Sequence, residues 1–229
     1  MSEVRGFRSA FFIDTDARLL RLPSLEGVVT WWAKTALLVA NMPLAWYLAR
    51  SADPLRRVTI VLCTAIFVAR VLLQMAVFWS RSIPWKEVVF EAGGIIPLSV
   101  ASLAYGAAQT RAELGLGDLF AFGVFLWGTW LNAWPEFQRH VWKQDPKNKG
   151  RLYREGLFSI ARHVNYTGEV VSFLAFSWLT GQAWTIWVPL VMGIGLGTFS
   201  VWEIEFYLEQ RYKEEWPKYV RDVPYVMVP

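Results

Sequence analysis

Long apolar runs separated by short charged breaks dominate this chain. They extend from about Val28 to Leu48, Val58 to Trp79, Val88 to Ala108, Leu119 to Trp134, Val170 to Gly181 and Trp184 to Trp202. Several reach the roughly 20 apolar residues that a helix needs to cross a bilayer. The pattern predicts an all-α, polytopic membrane helical bundle with about six transmembrane helices, a single integral membrane domain over residues 1–229. Trp31, Trp32 and Trp46 fall near the interfaces expected for the first run. Only two residues separate the fifth and sixth runs, which predicts a helical hairpin whose polar ends emerge on one side.

After the hairpin the pattern changes. In EIEFYLEQRYKEEWPKYVRDVPYVMVP the residues Ile204, Tyr207, Leu208, Tyr212 and Trp216 recur on one helical face, with charges elsewhere. This predicts an interfacial helix packed back over the protein, which Pro217 and Pro224 break into an extended tail.

Composition agrees with a membrane protein: 229 residues, 55% hydrophobic, with 14 Trp. A net charge of +4 and a pI near 9.3 do not point to nucleic acid, because basic loops suit anionic headgroups. The Arg139–Arg162 loop is rich in Lys and Arg, which places it and the C-terminal half in the cytosol. An even number of spans puts the N-terminus with Arg5, Arg8, Arg18 and Arg21 on the same side, whereas Arg50, Arg56 and Arg57 argue against that orientation. The N-terminal stretch does not read as a cleavable signal peptide and fits an anchor along the membrane surface. Cys63 stands alone in an apolar run, so it is a packing residue, and no Cys/His spacing indicates a zinc site. An integral membrane location is expected, in the endoplasmic reticulum of a eukaryote or the inner membrane of a bacterium.

Polar residues interrupt the apolar runs at Arg70, Gln74, Glu91 and Asn132. Charges at that depth face a bundle interior and pair with something. An Arg70–Glu91 ion pair is the simplest expectation, with Asn132 bonding between helices. The glycines of GIGLG, Gly193 to Gly197, lie within an apolar run with no strand before them, so they are read as helix-packing residues and not as a nucleotide loop.

The densest chemistry lies at DPKNKGRLYREGLFSIARHVNYTGE, from Asp145 to Glu169. Asp145, Pro146, Asn148, Lys149 and Gly150, then Gly156, Leu157 and Phe158, then Arg162, His163, Asn165, Tyr166, Gly168 and Glu169 form a spaced motif. Together with EFYLEQRYKEEWPKYVRDVP it resembles the membrane-enzyme superfamily of steroid 5α-reductases, sterol reductases and isoprenylcysteine carboxyl methyltransferases. It is similar above all to the steroid-5α-reductase-like proteins of bacteria and fungi. The resemblance covers roughly the last ninety residues and is only architectural before them.

The resemblance implies a substrate side in residues 1–138 and a cytosol-facing cofactor pocket in residues 139–229, with a lipid substrate entering from the bilayer. It implies NADPH in a reductase, or S-adenosylmethionine in a methyltransferase. Carried onto this chain, Asn148, Lys149, Arg162, His163, Asn165, Tyr166, Gly168, Glu169 and Glu205 become candidate cofactor-binding residues, with Gly168 permitting close approach of a backbone or cofactor. Tyr166, Glu91 and Arg70 become candidate catalytic residues, with hydride passing to the carbon β to a carbonyl and a donor stabilising the enolate oxygen. Two departures separate the chain from the methyltransferases: Val164 stands where they have proline, and Ile204 separates Glu203 from Glu205. Two other readings remain: a lipid-binding scaffold without turnover, and a purely structural cluster in which Arg162 pairs with Glu169 or Glu205 and His163 caps a helix. Membrane lipids are the expected surroundings, nucleic acid is not an expected partner, and oligomeric state is left open.

Overall fold

The computed structural model describes residues 25–78 and 82–227. Among them the chain forms helices α1 (Leu25–Leu48), α2 (Pro54–Phe78), α3 (Trp85–Ala108), α4 (Leu116–Gln144), α5 (Val164–Leu179), α6 (Ala183–Arg211) and α7 (Glu215–Asp222), and no strand. The N-terminal anchor with its four arginines, and Trp79, lie outside the described residues.

Helices α2, α3 and α6 are each long and apolar enough to cross a membrane. Helix α5 has 16 residues, and α1 and α4 are interrupted by polar groups such as Lys34, Asn41, Asp118 and Glu136. The bundle buries several charged and polar side chains within its apolar core and turns many large apolar ones outward. Lys34, Arg56, Arg70 and Asn132 are buried, whereas Phe90, Trp127, Phe199 and Trp202 are exposed. Lipid stabilises that arrangement and water would not.

Arg56 fixes one end of the bundle. Asp53 caps α2 by accepting from the N–H groups of Leu55 and Arg56, with Pro54 at the first helical position. The Arg56 guanidinium then donates to Leu179 O at the end of α5 (2.6 Å) and to Ala112 O, and pairs with Asp118 on α4 (3.3 Å). Its charge is therefore paired within the fold. Gly181, at φ +70°, turns the α5–α6 hairpin at this same end, with Thr110 occupying the space a Cβ would need.

Three boundaries differ from the sequence pattern. Helix α4 passes Pro135 and continues to Gln144. The proline removes one intrahelical bond, and the Glu136–Arg139 ion pair closes the next turn. Helix α5 starts at Val164 and not near Val170, because His163 O already accepts from the N–H groups of Tyr166 and Thr167. Its first two turns carry the polar motif, which hides them from a hydropathy reading. Pro217 starts rather than breaks a helix. It lies in the first turn of α7, where a missing N–H is harmless. Trp216 and Tyr219 of α7 then bury against Leu152 of the α4–α5 loop.

The glycines of α6 do less packing than expected. A Cβ on Gly193 would meet Val170 at 3.5 Å, but one on Gly195 would meet nothing within 4 Å. On Gly197 it would meet only the Met227 sulfur of the C-terminal tail, at 3.8 Å. Leu196–Ser200 forms a π-helical turn with no buried residue, so this stretch faces outward.

The close helix crossing lies instead between α4 and α5. Added Cβ atoms would stand 2.6 Å from Ser172 N at Gly128 and 2.6 Å from Gly128 O at Gly168. Backbone meets backbone there, as small residues allow in membrane bundles.

Candidate functional site

The C-terminal tail is laced to the loop before α5. Arg162 N donates to Tyr225 O (3.0 Å) and His163 N to Val226 O (2.8 Å). The Arg162 guanidinium donates to Val223 O (2.7 Å) and Pro224 O (3.0 Å), and its Nε donates to Glu205 Oε1 (2.8 Å). His163 Nε2 meets the same Glu205 oxygen at 3.2 Å, so that nitrogen carries the proton. Both side chains are buried. Arg162 thus takes the structural pairing with Glu205, and His163 makes no side-chain cap on α5. Close by, Tyr219 donates to Phe158 O at 2.7 Å, and burial holds its phenol well above the usual tyrosine range.

A second network joins α2, α4 and α5. Arg70 forms a bidentate pair with Glu169: one nitrogen donates to Oε2 and Nη2 donates to Oε1 at 2.9 Å. Asn132 donates to Glu169 Oε2 (2.9 Å) and to Asn165 O (2.8 Å), and accepts from Gln74 (2.7 Å). The expected Arg70–Glu91 pair is therefore wrong. Glu91 pairs at 2.9 Å with Lys34 of α1, which also pairs with Glu87. Register explains both results. Arg70 points toward α5, and Lys34, fully buried in α1, is the cation facing α3.

Between the two networks lie Asn165 and Tyr166. Asn165 Nδ2 donates to Glu136 Oε1 (3.1 Å), and Glu136 also receives Arg139. The Tyr166 ring stacks on His163, with centroids 5.2 Å apart and planes 13° apart. Tyr166 as a whole is half-buried, and its hydroxyl makes no hydrogen bond to any described residue. Glu136, Arg139 and Glu203 are the charged groups in electrostatic reach of it.

The motif residues therefore divide by role. Gly168 makes the close approach to the α4 backbone, and Glu169 anchors Arg70 and Asn132. Asn148 donates to Trp142 O and finishes α4, while Lys149 is exposed. Sequence reasoning missed Glu136 and Lys34. Glu136 carried a legible signal, because Gly128, Asn132 and Glu136 repeat at every fourth position and so form one stripe along α4. Among the described residues no group of His, Cys, Asp and Glu is arranged to hold a metal ion.

Residues 87–223, from α3 through α7, match a family described as "Protein of unknown function (DUF1295)". The chain belongs to that family. DUF1295 relatives by sequence include a Delta(14)-sterol reductase of Arabidopsis thaliana, 32% identical over 119 residues, covering 46% of this chain and 32% of the relative. A probable O-methyltransferase, ustE, of Ustilaginoidea virens is 33% identical over 105 residues, covering 46% and 33%. A Delta(14)-sterol reductase of Dictyostelium discoideum is 24% identical over 128 residues, covering 48% and 27%. The chain thus spans about a third of the length of the curated relatives it matches. These relatives place this DUF1295 member in the membrane superfamily of sterol reductases and methyltransferases that the motif resembles.

Proposed function

We propose that the chain is a membrane-embedded, NADPH-dependent reductase of an activated carbon–carbon double bond in a sterol-like or other lipid. In this reading about six helices cross the bilayer, and the α4–α5 loop and C-terminal tail face the cytosol. The observation that carries it is the Tyr166 hydroxyl, whose ring is held by stacking on His163 and which bonds to no other described residue. The two sterol reductases among the relatives supply the reaction class.

The residues fit an adenosine-containing cofactor. Asn165 Oδ1 is a buried acceptor with no protein donor, which suits an amide or ribose hydroxyl. Lys147, Lys149 and Arg151 stand on the loop where phosphates would be met. Arg162 and His163 act indirectly, by holding the tail and the tyrosine ring. When bound, NADPH supplies the hydride. Tyr166 donates a hydrogen bond to the substrate oxygen as negative charge develops there. Arg70 is a positioning residue for Glu169, and Glu91, paired with Lys34, is given no step.

The second reading, a methyltransferase using S-adenosylmethionine on a prenylcysteine carboxylate or a phospholipid amine, is favoured by the probable O-methyltransferase relative. The two separate in proteoliposomes supplied with either cofactor and a panel of lipid enones and lipid methyl acceptors. The reductase reading predicts NADPH-dependent enone reduction, with kcat lowered roughly 10²–10³-fold in Tyr166→Phe. Methyl transfer by the wild type, or full reduction by Tyr166→Phe, would sink it.

A further inference from the structure

Glu136 has no place in the motif, yet its position decides what Asn165 presents to a ligand. An ionised carboxylate only accepts hydrogen bonds, and Glu136 Oε1 lies 3.1 Å from Asn165 Nδ2. Turning the Asn165 amide over would set two acceptors against each other. Arg139 holds Glu136 from the other side, and Asn132 fixes the Asn165 backbone carbonyl at 2.8 Å. The amide is thereby locked in one sense, with Oδ1 buried and supplied with no donor by the protein.

We propose that Glu136 is a positioning residue that makes Asn165 Oδ1 a dedicated acceptor for a ligand N–H or O–H group. The proposal rests on the reading of this face as a cofactor site. Glu136 touches no ligand itself. It sets the hydrogen-bond polarity of the residue that does, so the site selects a ligand that donates at this point and disfavours one that presents an oxygen there.

The test is an exchange of chemistry between the two positions, read by NADPH binding to the detergent-purified protein. In Glu136→Gln the new amide can donate to Asn165 Oδ1, so Asn165 turns over and shows the ligand an N–H. NADPH binding then weakens roughly tenfold or more, while the melting temperature without ligand stays within about 3 °C of wild type. Asn165→Asp alone sets two carboxylates together and also weakens binding. The double variant Glu136→Gln/Asn165→Asp keeps the total charge of wild type. Its introduced amide donates to one oxygen of the introduced carboxylate, and the other oxygen faces the ligand as an acceptor. Affinity recovers to within a few-fold of wild type. Unchanged affinity in Glu136→Gln overturns the proposal, as does a double variant no better than the weaker single one, since a packing role predicts no rescue. If the wild type itself binds no NADPH, the cofactor reading and this proposal fall together; if it binds and the variants match it, only the role of Glu136 falls.

Discussion

Arg70 of α2 and Glu169 of α5 meet through two parallel hydrogen bonds across helices ninety-nine residues apart in the chain. Arg70 is 6% exposed, so the pair is shielded from water, and Asn132 adds a third bond to the carboxylate. Breaking it from one side leaves an uncompensated buried charge. Arg70→Met is expected to lower stability by about 3–5 kcal/mol. The double variant Arg70→Met/Glu169→Leu should lose less than the single one. Unfolding in graded denaturing detergent measures both, and an unaffected Arg70→Met would contradict the role given to the pair.

Gly168 and Gly195 both stand in apolar helices and predict opposite outcomes. A methyl group at Gly168 would press on the α4 backbone at Gly128 O, so Gly168→Ala should part the helices and cost about 1–3 kcal/mol or more. At Gly195 the space is open, and Gly195→Ala should be neutral or gain up to about 1 kcal/mol from helix propensity. Thermal melts of the two variants side by side decide the matter.

Tyr219 gives a pH signature. Burial raises its phenol above the ordinary tyrosine value, so the folded state favours the neutral form. That contribution is complete below the unfolded value near pH 10 and is lost as pH rises through the higher folded value. Wild type should therefore lose stability above about pH 10 more steeply than Tyr219→Phe. At neutral pH the variant should be less stable by about 0.5–1.5 kcal/mol, from the lost bond to Phe158 O.

Glu205 joins Arg162 and His163 at one oxygen and so secures the loop against which the tail is laced. Glu205→Ala should loosen both segments. The amide hydrogens of Arg162 and His163, which now donate to Tyr225 and Val226, should exchange with solvent about tenfold faster or more. Equal protection in the variant would show that the tail is held without it.

The helical membrane class was legible because a run such as Val58–Phe78 is apolar over most of its length, with Arg70 its one charge. The hairpin was legible from the brevity of its turn. The start of α5 was hidden, because Asn165 and Glu169 face other protein groups and lower local hydropathy without ending the helix. The partner of Arg70 was hidden for a different reason. Hydropathy gives depth in the membrane but not rotation about the helix axis, and rotation decides between Glu91 and Glu169. The motif singled out residues 145–169, but sequence could not separate Gly168 and Glu169, which hold the helices, from Tyr166, whose hydroxyl bonds to no described residue.

The central claim is that the face carrying Asn165 and Tyr166 receives NADPH, and ligand-dependent thermal stability tests it most directly. Purified protein is titrated separately with NADPH and S-adenosylmethionine. At a hundredfold excess over the dissociation constant a ligand selective for the folded state adds about 2.7 kcal/mol, a rise of roughly 5–10 °C for a chain of this size. The account predicts that rise with NADPH, its reduction in Asn165→Leu, and none with S-adenosylmethionine. A rise with S-adenosylmethionine alone, or with neither ligand, would contradict it.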